Sequence, residues 1–497
     1  MTDTLRTTKR LPEVLCLALY TALLAFSIAH HEPWADEAQA WQIARSLTPW
    51  QILSTYLHYE GSPGLWHLFL WALIHLGVSY SGMHWICGVV AILGVALLVF
   101  YAPFPLYLRL LIPFTYYLLF QFAVVARSYV LVPILLFAVL ALWKRNPVGL
   151  AVLLALLANL AAHATVMAAG IALLYFLDGR PRAGWTRKQL TLAAAVLFAG
   201  CAFALWTAWP AHDVVIASYH APGSLPAHQS FAATFSTGAL YAWLVPFFAP
   251  FWLSIPFWIA IAAVLAHARR FLLLAPIVLF AGFSGAVHVN FWHAGLLDLL
   301  LIAILWIAWD RLPHDKYRRL LEIVLTASFL VQIGWSAYAI NFDRKFDYSP
   351  DLAAAEFLAP YIQHGDSIVS TYAHAIGVQD FHSVGLEPYF HQHLFLNQPL
   401  PFWLWSTSNP SEAKFLASLQ NPPSIVVVDF SSPNRFDPLR DVAGEKNSLL
   451  LAHGYVLART FCGSLPQGFH LHADICHLIY LHTARGIAGT PSPAPHP

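Results

Sequence analysis

The sequence predicts an α-helical polytopic membrane protein with a C-terminal extracytoplasmic α/β domain. Three observations carry this. Charged residues make up 10% of the 497-residue chain and hydrophobic residues 59%, whereas a water-facing domain carries about 25% charged residues. Apolar runs recur from residue 11 to about residue 340. From about Asp343 the composition turns to short β-branched runs separated by Gly, Pro and Ser. The formal net charge of +1 and the lack of a basic stripe outside short loops exclude nucleic acid as a partner.

Residues 1–10 are read as a cytoplasmic N-terminus. The basic residues before Leu11–Ala29 also suit a signal peptide. Many further apolar runs follow, however, and no small-x-small site precedes Glu32, so this run is read as an uncleaved first span. Apolar runs follow at 63–79, 83–101, 105–122, 127–143, 147–161, 163–177, 190–209, 237–267, 271–288, 294–309 and 319–340. At roughly 20 apolar residues per crossing, residues 11–340 form a bundle of about 11–13 transmembrane helices. Basic short loops stay in the cytoplasm. That rule places Arg6, Lys9 and Arg10, then Lys144 and Arg145, then 178–189 with Arg180, Arg182, Arg187 and Lys188, then Arg269 and Arg270, and 310–319 inside. The outer loop 30–62, with Glu32, Asp36, Glu37 and Glu60, the stretch 210–232 and the turn 289–293 then lie outside. The last run starts inside, so residues 341–485 are extracytoplasmic and the protein is a multi-pass protein of the cell (inner) membrane.

Residues 147–177 must cross twice, with a turn near Ala161–His163. Pro246, Pro250 and Pro256 divide 237–267 into an interfacial piece and a crossing. Crossings between Glu60 and Arg127 must be even in number, which makes one run there, 105–122 first, re-entrant or interfacial. In the C-terminal domain, 351–363 and 411–420 read as helices, and Ser367–Ser370 and Ser424–Phe430 as buried strands. Cys462 and Cys476 form a disulfide if this domain faces an oxidising compartment, though spacing alone does not pair them. Cys16, Cys87 and Cys201 are small core residues. The tail 486–497 is Pro-rich and reads as disordered.

The most informative segment follows the first span: His30-His31-Glu32-Pro33-Trp34-Ala35-Asp36-Glu37. Residues 35–46 read as a helix, with Trp34 and Trp41 placed for the membrane interface. Adjacent Asp36 and Glu37 point to different sides of it, so one carboxylate can face a cavity while the other binds backbone or metal. A carboxylate there suits a general base for an acceptor hydroxyl whose donor is a lipid. The same pair also suits simple capping of a helix N-terminus. His58 and Glu60 could hold a cation, although a lone His/carboxylate pair is a sparse ligand set. Arg127 opens a later run and suits either a lipid phosphate or snorkelling. His163, His288, Asn290 and His293 fall at outer turns on the same side as Asp36.

In this pattern the sequence resembles the C-type (GT-C) membrane glycosyltransferases, which include protein O-mannosyltransferases, lipid A aminoarabinose transferases and oligosaccharyltransferases. The pattern is an outer loop with Asp36-Glu37, a Pro-initiated aromatic second helix (PGLWHLFLW), Arg127-Ser128-Tyr129 opening a later helix, and His163 at an outer turn. It covers roughly residues 10–340. The resemblance implies inverting transfer of a sugar from a polyprenyl-phosphate donor to a glycan, lipid or protein acceptor, with Asp36 as base and Arg127, with Tyr129 and His293, on the donor phosphate. Members often carry an Arg-His pair before a late helix, where this chain has His293 without the Arg. Some relatives use a divalent cation (Mg, Mn or Zn). Rival readings are a transporter or flippase of a lipid-linked glycan, for which Arg109 and Asp298 are the main intramembrane charges, and a non-catalytic envelope assembly protein.

Overall fold

A computed structural model describes residues 10–143, 145–177, 185–214, 231–287, 289–372, 382–432 and 445–483. Residues 1–9 with Arg6 and Lys9, Lys144, Arg180 and Arg182, most of 210–232, His288 and the tail 486–497 lie outside the described residues. The described chain is mostly helical and carries one four-stranded sheet near its C-terminus.

Among the described residues, five helices are long and apolar enough to cross a membrane: α1 (Leu11–His30), α4 (Tyr80–Tyr101), α8 (Arg187–Ala208), α12 (Phe291–Ala308) and α13 (Lys316–Asp343). The shorter helices are α2 (Ala35–Ser46), α3 (Leu65–His75), α5 (Leu131–Ala141), α6 (Pro147–Ala158), α7 (Ala162–Leu177), α9 (Phe231–Leu244), α10 (Ser254–His267) and α11 (Ala275–Ala286). Their starts follow local chemistry. Ser79 caps α4 by accepting from Gly82 N, Asn146 caps α6 ahead of Pro147, and Asp315 caps α13 through Tyr317 N and Arg318 N. The 12 residues of α6 span only about 18 Å. The bundle therefore mixes full-length spans with shorter apolar helices rather than repeating one crossing length.

α12 runs through the middle of the bundle, buried at every residue from Ala294 to Ala308. The hairpin turn between α6 and α7 falls at 159–161, so His163 lies in the first turn of α7. The run 237–267 is two helices, broken at 245–253, where Pro246 and Pro250 lie. The run 105–122 is no single helix. A short helix Leu106–Leu111, a 3₁₀ turn and a π-turn Tyr117–Gln121 succeed one another, and residues 115–126 are buried. Irregular backbone is tolerated in apolar surroundings where protein covers it. Here Tyr20 of α1 donates to Leu118 O, and Tyr116 donates to Pro466 O.

α13 leads into the C-terminal domain: α14 (Asp351–Gln363), β1 (Ile368–Tyr372), α15 (Ser411–Ser418), β2 (Ile425–Ser432), α16 (Glu445–Ala452), β3 (Tyr455–Gln467) and β4 (His470–His482). The sheet order is β1-β2-β4-β3, with β1 parallel to β2 and the other pairs antiparallel. One face packs Val426, Val428, Leu478 and Tyr480 on Phe415 and Leu450. On the other, Ile425, Val427 and Ile479 belong to the same hydrophobic cluster as the helical bundle. The β3–β4 hairpin is not among the strands expected from sequence. Its turn uses Gly468 at φ +61°, and its ladder sets Cys462 opposite Cys476, which are joined as a disulfide.

Candidate functional site

The first turn of α2 separates its two acids. Asp36 Oδ2 lies 2.6 Å from Arg127 Nη1, with the two side chains 37% and 23% exposed. Glu37 points the other way and is fully buried. Its Oε2 accepts from Trp34 N at 3.0 Å and its Oε1 from Ala126 N at 2.5 Å. The Trp34 bond caps α2, and the Ala126 bond fastens α2 to the residue before Arg127. Asp36 is thus partly exposed, while Glu37 binds backbone. Glu37 reaches no open surface, and its carboxylate is taken up by the backbone of Trp34 and Ala126.

Arg127 sits among aromatic faces, its Cζ 5.9 Å from the ring centre of Trp34, 5.5 Å from Tyr129 and 5.2 Å from Trp292. Tyr129 stands edge-on to His293 at 5.9 Å. His293 stacks on His163 with centroids 4.3 Å apart. Four of the expected residues therefore converge on Arg127 from different elements: Asp36 of α2, Tyr129 of the turn before α5, His293 of α12, and His163 of α7 behind it. Trp34 and Trp41, expected at the interface, are buried instead; Trp34 packs on Trp292 and Trp41 on Tyr80.

His58 and Glu60 each have a separate hydrogen-bond partner. His58 Nδ1 bonds Trp209 O at 2.6 Å. Glu60 Oε1 accepts from Gln39 Nε2 at 2.8 Å, and burial, followed by the nearby Asp36, raises its pKa to about 7. Gln39 also exchanges two hydrogen bonds with the backbone of Trp403, and Arg45 donates to Phe390 O at 3.1 Å, so α2 is bound to the C-terminal domain. Asp213 fastens a neighbouring loop by accepting from Tyr59 and Ser406, and Ser406 does most to hold its pKa down at about 2.

Beneath Asp36 lies a buried group that the sequence reading did not single out. His84 Nε2 is 2.8 Å from Glu37 Oε1, His31 Nε2 is 3.5 Å from Glu37 Oε2, and His31 Nδ1 is 2.9 Å from Asp343 Oδ2. Burial works against ionisation of Glu37, yet His84 and His31 hold its pKa well below the usual carboxylate range. Burial likewise opposes a charge on His31, but Asp343 and Glu37 raise its pKa to about 10. The available signals were a histidine directly after the first span and an ionisable residue, His84, at the start of an apolar run. No protein-family profile, curated protein or solved structure matches this chain.

Proposed function

We propose that the protein is an inverting membrane glycosyltransferase that moves a sugar from a polyprenyl-phosphate donor to an acceptor hydroxyl at the extracytoplasmic membrane face, with Asp36 as base. The observation that carries this reading is the meeting of a half-exposed carboxylate with an aromatic-enclosed guanidinium. The donor phosphate takes the place of Asp36 on Arg127, which frees the carboxylate. The acceptor oxygen then attacks the anomeric carbon as the bond from that carbon to the phosphate oxygen breaks. The bonding electrons leave on the phosphate beside Arg127, and the hydroxyl proton passes to Asp36. Tyr129 and the His163–His293 stack would flank the sugar beside Arg127. The basic loops on the opposite side of the assigned topology, and the disulfide in the C-terminal domain, support an extracytoplasmic site.

The flippase reading asks for mobile charges at mid-depth. Arg109 instead lies 3.3 Å from Glu13, and Asp298 accepts from Gln332 at 3.3 Å, both fixed pairs between neighbouring segments. The test is glycan and lipid-linked oligosaccharide profiling of a deletion strain. Loss of a general base lowers the rate by about 10²–10⁴-fold. Wild type should therefore restore the missing glycan, while Asp36→Asn, inserted at normal level, should not. Full complementation by Asp36→Asn overturns the assignment.

A further inference from the structure

The geometry points to a zinc-class cation site formed by His31, Glu37 and His84, in which the ion ties together the elements that hold Asp36 and Arg127. The ligand-type atoms of these three buried side chains lie within 4.8 Å of one another. They come from the loop after α1, from α2 and from α4.

The orientation of His31 favours a cation over a purely hydrogen-bonded cluster. Its Nδ1 bonds Asp343 Oδ2 at 2.9 Å, so the nitrogen turned toward the cluster is Nε2. That Nε2 is fully buried, faces Glu37 and has no hydrogen-bond partner. At 3.5 Å, Nε2 and Glu37 Oε2 stand at about the separation of two ligands of one tetrahedral zinc, each bound at about 2.0–2.2 Å. A carboxylate behind the far nitrogen of a ligating imidazole is the outer-shell arrangement that orients such ligands and raises their basicity.

Two imidazoles and one carboxylate select the class of ion. Calcium and magnesium take mostly oxygen ligands, whereas two histidines with a glutamate and a free fourth position suit zinc. The ion's role is positional. Glu37 holds Ala126 N next to Arg127 and Trp34 N next to the aromatic enclosure, so the ion would fix where the guanidinium and Asp36 meet. The proposal does not depend on the transferase reading, because its primary readout is metal content.

The experiment uses the full chain, purified in detergent without a polyhistidine tag, equilibrated with buffered zinc and desalted. About one zinc per chain is expected by mass spectrometry of the metal, with at least a tenfold loss in Glu37→Gln and His84→Ala, and recovery in His84→Cys, which keeps a zinc ligand. Cobalt loaded into the wild-type chain should give the intense visible bands of a four- or five-coordinate site and be displaced by zinc. This measurement decides the matter even where a variant fails to fold. Wild type that holds no zinc after desalting, zinc unchanged in both variants, or cobalt with only the weak spectrum of the hydrated ion would each overturn the proposal.

Discussion

Replacing His477 with glutamine tests the electrostatics of the C-terminal domain. His477 on β4 is completely buried between two carboxylates, with Nε2 2.7 Å from Asp351 Oδ1 and Nδ1 2.8 Å from Asp429 Oδ1. The remaining oxygens are also engaged: Ser349 donates to Asp351, and Ser383 donates to Asp429 through both its N–H and its hydroxyl. The group joins the start of α14, β2, β4 and the segment around Ser383, and Gly385 is required because a side chain there would collide with the Asp351 carboxylate. Burial opposes the charge of His477, but the two carboxylates raise its pKa to about 9. Against an unfolded value of about 6.5, this is roughly 3 kcal/mol of stability. A second route agrees, because removing one partner of a buried ion pair costs about 3–5 kcal/mol. The sign follows from the raised pKa: the contribution is fully present below about pH 6.5 and is lost as pH rises through about 9. Pulse proteolysis of the full chain in detergent across a urea series, following the C-terminal domain, measures the midpoint at pH 6 and pH 10. The His477→Gln midpoint should be well below wild type at pH 6 and close to it at pH 10. Equal midpoints at pH 6, or a gap that does not shrink by pH 10, refute the reasoning.

Two further predictions follow from the geometry. Arg127→Lys keeps the charge but not the planar fork, so the KM for the lipid donor should rise about tenfold, with smaller change in the acceptor KM, in a membrane transfer assay. Cys462 and Cys476 are 14 residues apart, a loop whose closure restricts the unfolded chain by about 3 kcal/mol. Reduction, or the double variant Cys462→Ser/Cys476→Ser, should lower the urea midpoint of the C-terminal domain, and an unchanged midpoint would count against the pairing.

Much of the site was legible because membrane proteins separate charge so sharply. Asp36, Arg127 and Tyr129 stand out in a chain with 10% charged residues, and one topological rule already put them on one side. Their convergence with His163 and His293 was not legible. It depends on α7 and α12 packing beside the turn before α5, and spacing along the chain carries no information about that packing. The His84–Glu37 and His31–Asp343 contacts were missed for the same reason, since their partners lie 47 and 312 residues apart in the chain.

The C-terminal domain divides similarly. α14, β1, α15 and β2 follow from local pattern and from Pro and Gly punctuation. The long hairpin does not, because β3 mixes exposed and buried residues without strict alternation and bulges near Arg459 and Pro466. Taken alone, the sequence determined the series of long apolar helices, the place along the chain where the C-terminal sheet region begins and the elements that carry the acids and the arginine, because hydropathy and local propensity act over a few neighbouring residues. Only the tertiary structure decided that Asp36 meets Arg127, that Glu37 turns inward to His84, and that His477 bridges two aspartates. Each of those pairings joins segments far apart in the chain, and their energies arise only once packing has excluded water from around them.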